Sequence, residues 1–136
     1  AYLYCRLPSG RLLVYRDVRF ATKMMPWGEP GTVLEASGID QLTKRYTRYE
    51  LSRVVMVENL VQAIAADVMF EGLLRAEEAG YEPMMSVHDE LVTEPPPELE
   101  QECRENLGVL MTTPRPWTAG LPLGVDVWSA ERYVKA

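Results

Sequence analysis

The sequence holds little that points to disulfide, zinc or membrane chemistry. Only two cysteines occur in 136 residues. Cys5 and Cys103 lie far apart and match no metal or redox spacing, which excludes a Cys-rich zinc or disulfide scaffold. A bridge between them and a pair of idle thiols are both open. No apolar run is long enough to cross a membrane. The first residues lack the basic n-region and apolar h-region of a signal peptide. The expectation is a cytosolic protein with no membrane partner. Internal repeats and low-complexity tracts are absent too. Positive charge is in short supply: 14 Lys/Arg face 20 Asp/Glu, a net charge of −6. That balance argues against a free-standing nucleic-acid binder, which normally carries a basic surface.

What is present suffices for one compact domain with a real core, since 47% of the residues are hydrophobic and 25% charged. The charge is unevenly spread. Residues 1–50 carry 8 Lys/Arg and 5 Asp/Glu, while residues 51–136 carry 6 and 15. Phosphate contacts therefore fall most naturally on Arg6, Arg11, Arg16, Arg19, Lys44, Arg45 and Arg48. A solvated basic face explains the same residues equally well.

Residues 1–20 read as a β-hairpin, because apolar and aromatic residues flank the turn signal Pro-Ser-Gly at 8–10. Residues 24–42, rich in Gly, Pro and Trp and without period, read as a loop with room for short extended pieces. Near Glu50 the period changes. Leu51, Val54, Val57, Val61, Ile64 and Val68 recur at spacings of three and four, predicting a helix over 50–79 that Gly80 stops. At about 30 residues it would run about 45 Å, a spine for other elements to pack on. Gly72 inside it marks a close packing contact. Residues 83–94 read as a second hairpin, with only His88 and Asp89 in its loop, Val87 and Glu90 flanking, and Met85 opposite Val92. Residues 95–112 read as a helix opened by prolines and acids, with Leu99, Cys103, Leu107 and Leu110 as its apolar stripe. Residues 120–136 read as a terminal strand followed by a short tail helix capped by Ser129. The fold class is α+β, an antiparallel sheet of hairpins packed on a long helix.

His-Asp is a poor choice for a two-residue loop, which often needs positive φ; Asp tolerates that conformation better than most residues but at a cost. An unfavourable tip points to a task. A carboxylate at a hairpin tip suits Mg²⁺, which takes oxygen ligands from one or two carboxylates plus substrate phosphates. Asp89 is the candidate ligand. Glu90, across the pleat, is a helper at best. His88 can donate to a phosphate or a base edge. A polar turn without chemistry is the plain alternative.

The stretch 86–94, Ser-Val-His-Asp-Glu-Leu-Val-Thr-Glu, resembles the last palm motif of family A DNA polymerases, the DNA polymerase I type. Residues 58–81, with Gln62 and Ala65-Ala66-Asp67 ahead of His-Asp-Glu, resemble the preceding helix of that family. Residues 6–15 resemble its Gly-Arg hairpin. Residues 113–135, with Trp117, Ala119-Gly120-Leu121-Pro122 and the aromatic Trp128 and Tyr133, resemble the tail of bacteriophage members. The resemblance covers the whole chain. It implies a partial polymerase palm. Asp89 would then bind both ions of a two-Mg²⁺ site, and His88 would stand near the primer terminus. Glu90 would be the accessory glutamate, and Gln62 would read the minor groove beside the primer end. Arg11 would match the arginine of the first hairpin.

The chain departs from the family at one motif position and, more widely, in what it lacks. Many bacterial members carry Asn four residues before this Gln; here Glu58 stands there and Asn59 follows, with its role open. Nothing matches the family's other metal-binding aspartate, its fingers helix, its thumb or an exonuclease. The resemblance thus implies a chain inactive alone, completed by a second polypeptide carrying thumb, fingers and the first palm motif; a split polymerase and an expressed fragment both fit. It would act on primer–template DNA and dNTPs in the cytoplasm of a bacterial or phage-infected cell. Two rivals stand beside it. One is a non-catalytic polymerase-derived DNA-binding or interaction module. The other is a homodimer with a different metal-dependent phosphoryl reaction.

Overall fold

The computed structural model describes residues 1–40 and 43–133. The chain is α+β. Its elements run β1 (Leu3–Arg6), β2 (Leu12–Met24), β3 (Pro30–Ile39), β4 (Tyr46–Glu50), α1 (Arg53–Glu78), β5 (Pro83–Val87), β6 (Glu90–Thr93) and α2 (Glu100–Thr112), with short 3-10 turns at Pro97–Leu99 and Pro116–Thr118. The sequence reads as one domain, but the contacts divide it into two compact units, Ala1–Ile64 and Ala65–Ala136. Helix α1 runs through the division.

In the first unit β1 to β4 form one antiparallel meander in chain order. The Pro-Ser-Gly turn joins β1 to β2, with the Leu7 amide donating to the Arg11 carbonyl at 2.8 Å. Register then pairs Tyr4 with Val14 and Arg6 with Leu12. Between Arg16 and Arg19 the β2–β3 ladder shifts. Asp17 sits in that bulge at φ 51°. Its carboxylate accepts from Ser37 Oγ at 3.0 Å and pairs with Arg48. A bulge so tied re-aims the strand and tightens its twist.

The expected loop over 24–42 is corrected. Residues 30–39 form β3, which pairs on one side with β2 and on the other with β4. Pro30 stands at its first position, where a missing N–H breaks no interior ladder bond. Met25–Glu29 make the tight turn, closed by the Met25 amide on the Glu29 carbonyl at 2.9 Å. The Gly and Pro residues that looked like punctuation throughout mark only the ends of a strand. Residues 41 and 42 of that stretch lie outside the described residues. The inner face of the sheet buries Tyr15, Ala36 and Leu51, with Leu13, Val18, Leu34 and the first-turn residues Val55 and Met56 of α1 against them.

In the second unit α1 ends as its sequence implies. Gly80 takes φ 78°, the Gly80 amide donates to the Glu77 carbonyl at 2.9 Å and the Tyr81 amide to the Ala76 carbonyl at 3.0 Å. This is a Schellman ending, which satisfies carbonyls left open by the last turn. Ala76, Tyr81, Cys103 and Leu107 form the core, with Leu91, Leu110, Met111 and Val127 packed on it. Gly72 lets α2 approach: a Cβ there would lie 3.3 Å from Met111 Cγ. Arg75 reaches across and donates to the carbonyls of Leu110 at 2.8 Å and Thr113 at 2.7 Å, closing the end of α2. Both cysteines are free thiols.

The expected C-terminal strand and tail helix over 120–136 are also corrected. Residues 121–130 and 133 form neither strand nor helix, and 131 and 132 only bend; 134–136 lie outside the described residues. The apolar alternation is nonetheless used. Val125 and Val127 come within 3.4 and 3.3 Å of the position a Cβ on Gly108 of α2 would take. These valines lie against a helix rather than beside a strand, and with Val125 39% exposed their period reports a half-covered face without a ladder.

Candidate functional site

The second hairpin presents the candidate chemistry. Strands β5 and β6 pair with Val87 opposite Glu90 and Met85 opposite Val92, the register a two-residue loop requires. His88 and Asp89 form the tip, and both side chains are exposed. The positive φ falls on His88, at 56°, and not on Asp89. A non-glycine residue in this region carries a conformational cost, borne here by the residue beside the carboxylate. Asp89 does not take a positive φ and is open to solvent.

Glu90 is half-buried. Its Oε2 accepts a hydrogen bond from the Tyr133 hydroxyl at 3.0 Å. That hydrogen bond, then burial and the charge of Glu90, raises the Tyr133 pKa above its usual 10.0. The tail thus anchors the glutamate next to the tip. Sequence reasoning assigned Tyr133 to a tail motif and missed this bond, because two segments 43 residues apart meet only in the tertiary structure.

The other candidates lie in the first unit, on the exposed stretch of α1 and the turn after β1. Gln62 is exposed, and its amide donates to Glu58 Oε1 at 3.3 Å, one turn back. Asn59 turns inward: its amide donates to the buried Tyr15 hydroxyl at 3.3 Å. The open role of Asn59 is therefore at least structural, tying the helix to β2. Arg11 Nη2 donates to the Ala63 carbonyl at 2.9 Å, one residue from Gln62. The structure thus brings Arg11 beside the Gln62 turn of α1, while His88, Asp89 and Glu90 belong to the second unit.

A metal site can be tested against these groups. Asp89 offers the oxygen donor that Mg²⁺ prefers, exposed at a turn. Among the described residues no three His, Cys, Asp or Glu side chains stand together to hold a metal. The donor set fits one ligand of a shared site and no more. No helix among the described residues is long and apolar enough to cross a membrane.

The chain is 32% identical over 139 aligned positions, 98% of its length, to a DNA polymerase of Bacillus phage SP02. It is thus related in sequence to a phage DNA polymerase, and it spans about a fifth of the length of that relative. No family model matches the chain. No solved structure matches it.

Proposed function

We propose that the chain is the last palm segment of a family A DNA polymerase and takes part in template-directed nucleotidyl transfer. The observation that carries the reading is the exposed His88-Asp89 tip, set on a two-residue loop with positive φ at His88, in a chain related to a phage polymerase. In this reading Asp89 supplies one carboxylate to a Mg²⁺ site whose remaining ligands come from outside this chain's described residues. When bound, Mg²⁺ would neutralise charge developing on the transferred phosphoryl group. His88 donates to the backbone near the primer terminus. Glu90 is a helper held by Tyr133, its carboxylate steadying the tail next to the tip. Gln62 donates from α1 to minor-groove acceptors common to all base pairs, a readout of shape rather than sequence. Arg11 flanks that helix turn as a phosphate contact. The substrates are primer–template DNA and dNTPs, and the compartment is the cytoplasm of a bacterial or phage-infected cell.

With one metal carboxylate, these 136 residues need a thumb, fingers and the first palm motif to complete the site. The full chain given Mg²⁺, primer–template and dNTPs should extend nothing; robust extension would overturn the half-site reading. In a complex reconstituted with the missing parts, Asp89→Ala should lower nucleotide incorporation on the order of a thousandfold while assembly is retained. Loss of assembly instead would make the tip structural and favour a non-catalytic, polymerase-derived module.

A further inference from the structure

One surface of the first unit is left unused by that reading. Residues facing each other across a ladder share a face, and alternate residues along a strand return to it. The pairs Tyr4–Val14 and Arg6–Leu12 therefore put Tyr4, Arg6, Leu12, Val14 and Arg16 on one side of the sheet. All five are exposed, and the inner side holds Leu13 and Tyr15. The Tyr2 ring extends the set: it lies near-parallel to the Tyr4 ring, with centroids 6.2 Å apart and planes 25° from each other. Tyr2 is 62% and Tyr4 59% exposed, unusual for two neighbouring aromatic rings. At the far edge Ile39 and Tyr46 pair, both exposed as well.

The charges on this face have a sign. Among the described residues no acid pairs with Arg6 or Arg16, whereas Arg19, Lys23 and Arg48 are each matched by a carboxylate. Two unmatched guanidinium groups flanking two stacked phenol rings form an aromatic and cationic platform in a chain that is otherwise acidic. An acidic or plainly apolar partner would not need the rings and cations interleaved. A strand of nucleic acid does: unpaired bases stack on aromatic faces and phosphates seek guanidinium groups.

We infer that the outward face of the β1–β2 hairpin binds single-stranded nucleic acid, with Tyr2 and Tyr4 stacking on bases and Arg6 and Arg16 holding phosphates. The site belongs to the first unit and does not depend on the His-Asp-Glu tip. It therefore stands or falls apart from the catalytic reading. Unpaired bases are required, because a duplex keeps their faces stacked on one another.

The test uses the full chain and a fluorescein-labelled oligothymidylate of about 15 nucleotides, read by fluorescence anisotropy. Tyr4→Ala should weaken binding about tenfold and Tyr4→Phe much less, because the ring face is kept. Arg6→Ala and Arg16→Ala should each lower the slope of log affinity against log salt by about 0.7, the share of one phosphate contact on a single strand. Arg104→Ala, the same charge change in the second unit, should leave the slope alone. Circular dichroism of each variant separates lost binding from lost folding, and the Tyr4→Phe control keeps the question open to decision if Tyr4→Ala unfolds. Unchanged affinity in Tyr4→Ala, an equal slope change in Arg104→Ala, or tighter binding of a blunt duplex would overturn the assignment.

Discussion

Residues 1–64 carry nine Lys/Arg against six Asp/Glu, whereas residues 65–136 carry five against fourteen. The first unit is a four-stranded sheet with a thin core of Tyr15, Ala36 and Leu51. The second is built around two helices and a hairpin, with Tyr81 at its centre. The contrast teaches that charge and architecture divide at the same place. The basic unit presents broad exposed strands, a shape suited to a polyanion. The acidic unit presents a narrow tip whose carboxylates suit a cation. Each surface has the sign its candidate ligand requires.

The comparison breaks if the units do not unfold separately, and the largest effect tests this. Tyr81 is 2% exposed, and its hydroxyl donates to Glu102 at 3.0 Å. Tyr81→Ala should cost about 3 kcal/mol in the second unit. Amide hydrogen exchange should then show lost protection in α2 and β6, with β2 and β3 unchanged. Equal loss in both would make the chain one cooperative body.

A smaller change probes the first unit in the same way. Asn59→Ala removes the bond to Tyr15 and should cost about 1 kcal/mol, read from the denaturant midpoint. Its loss of protection should fall on β2 and the first turns of α1. Loss that appears instead in β5 and β6 would contradict the division.

Glu58→Gln sharpens the electrostatic half of the comparison. The carboxylate beside Gln62 is unfavourable to a phosphate backbone, and it competes for the Gln62 amide. Removing its charge should tighten primer–template binding by about two- to fivefold at low salt, and less at high salt. No change would mean that this face of α1 does not meet DNA.

The smallest effect concerns pH. The hydrogen bond to Glu90 raises the Tyr133 pKa, so the folded state favours the neutral phenol. Its contribution is fully present below pH 10.0, the usual tyrosine value, and is lost as pH rises through the raised folded value. The stability difference between the native chain and Tyr133→Phe should therefore be flat at neutral pH and vanish under alkaline conditions. A difference that grows with pH would reverse the assignment.

Several of these features were legible in the amino-acid order. The stripe from Leu51 to Val68 predicts α1, and Gly80 predicts its end, because helical period and capping are local; as a packing spine the stripe is corrected, since Val54, Val57 and Val61 lie exposed. The loop His88-Asp89 predicts the β5–β6 register, because a two-residue turn leaves one pairing. Strand β3 was hidden, since Pro30, Gly31 and Gly38 read as loop residues until two neighbouring strands supply their hydrogen bonds. The terminal alternation from Leu121 to Val127 misled for the converse reason: it marks a half-covered face against α2, and among the described residues no strand pairs with it.

The candidate site divides along the same line. Its residue types and the exposed tip follow from sequence, because turn chemistry and charge are properties of short segments. Tertiary structure alone decided that Tyr133 would hold Glu90 and that Asn59 would turn inward to Tyr15. Each of those facts joins segments distant along the chain. Only folding sets which distant groups meet, since the free energy of such contacts depends on packing that no local pattern encodes.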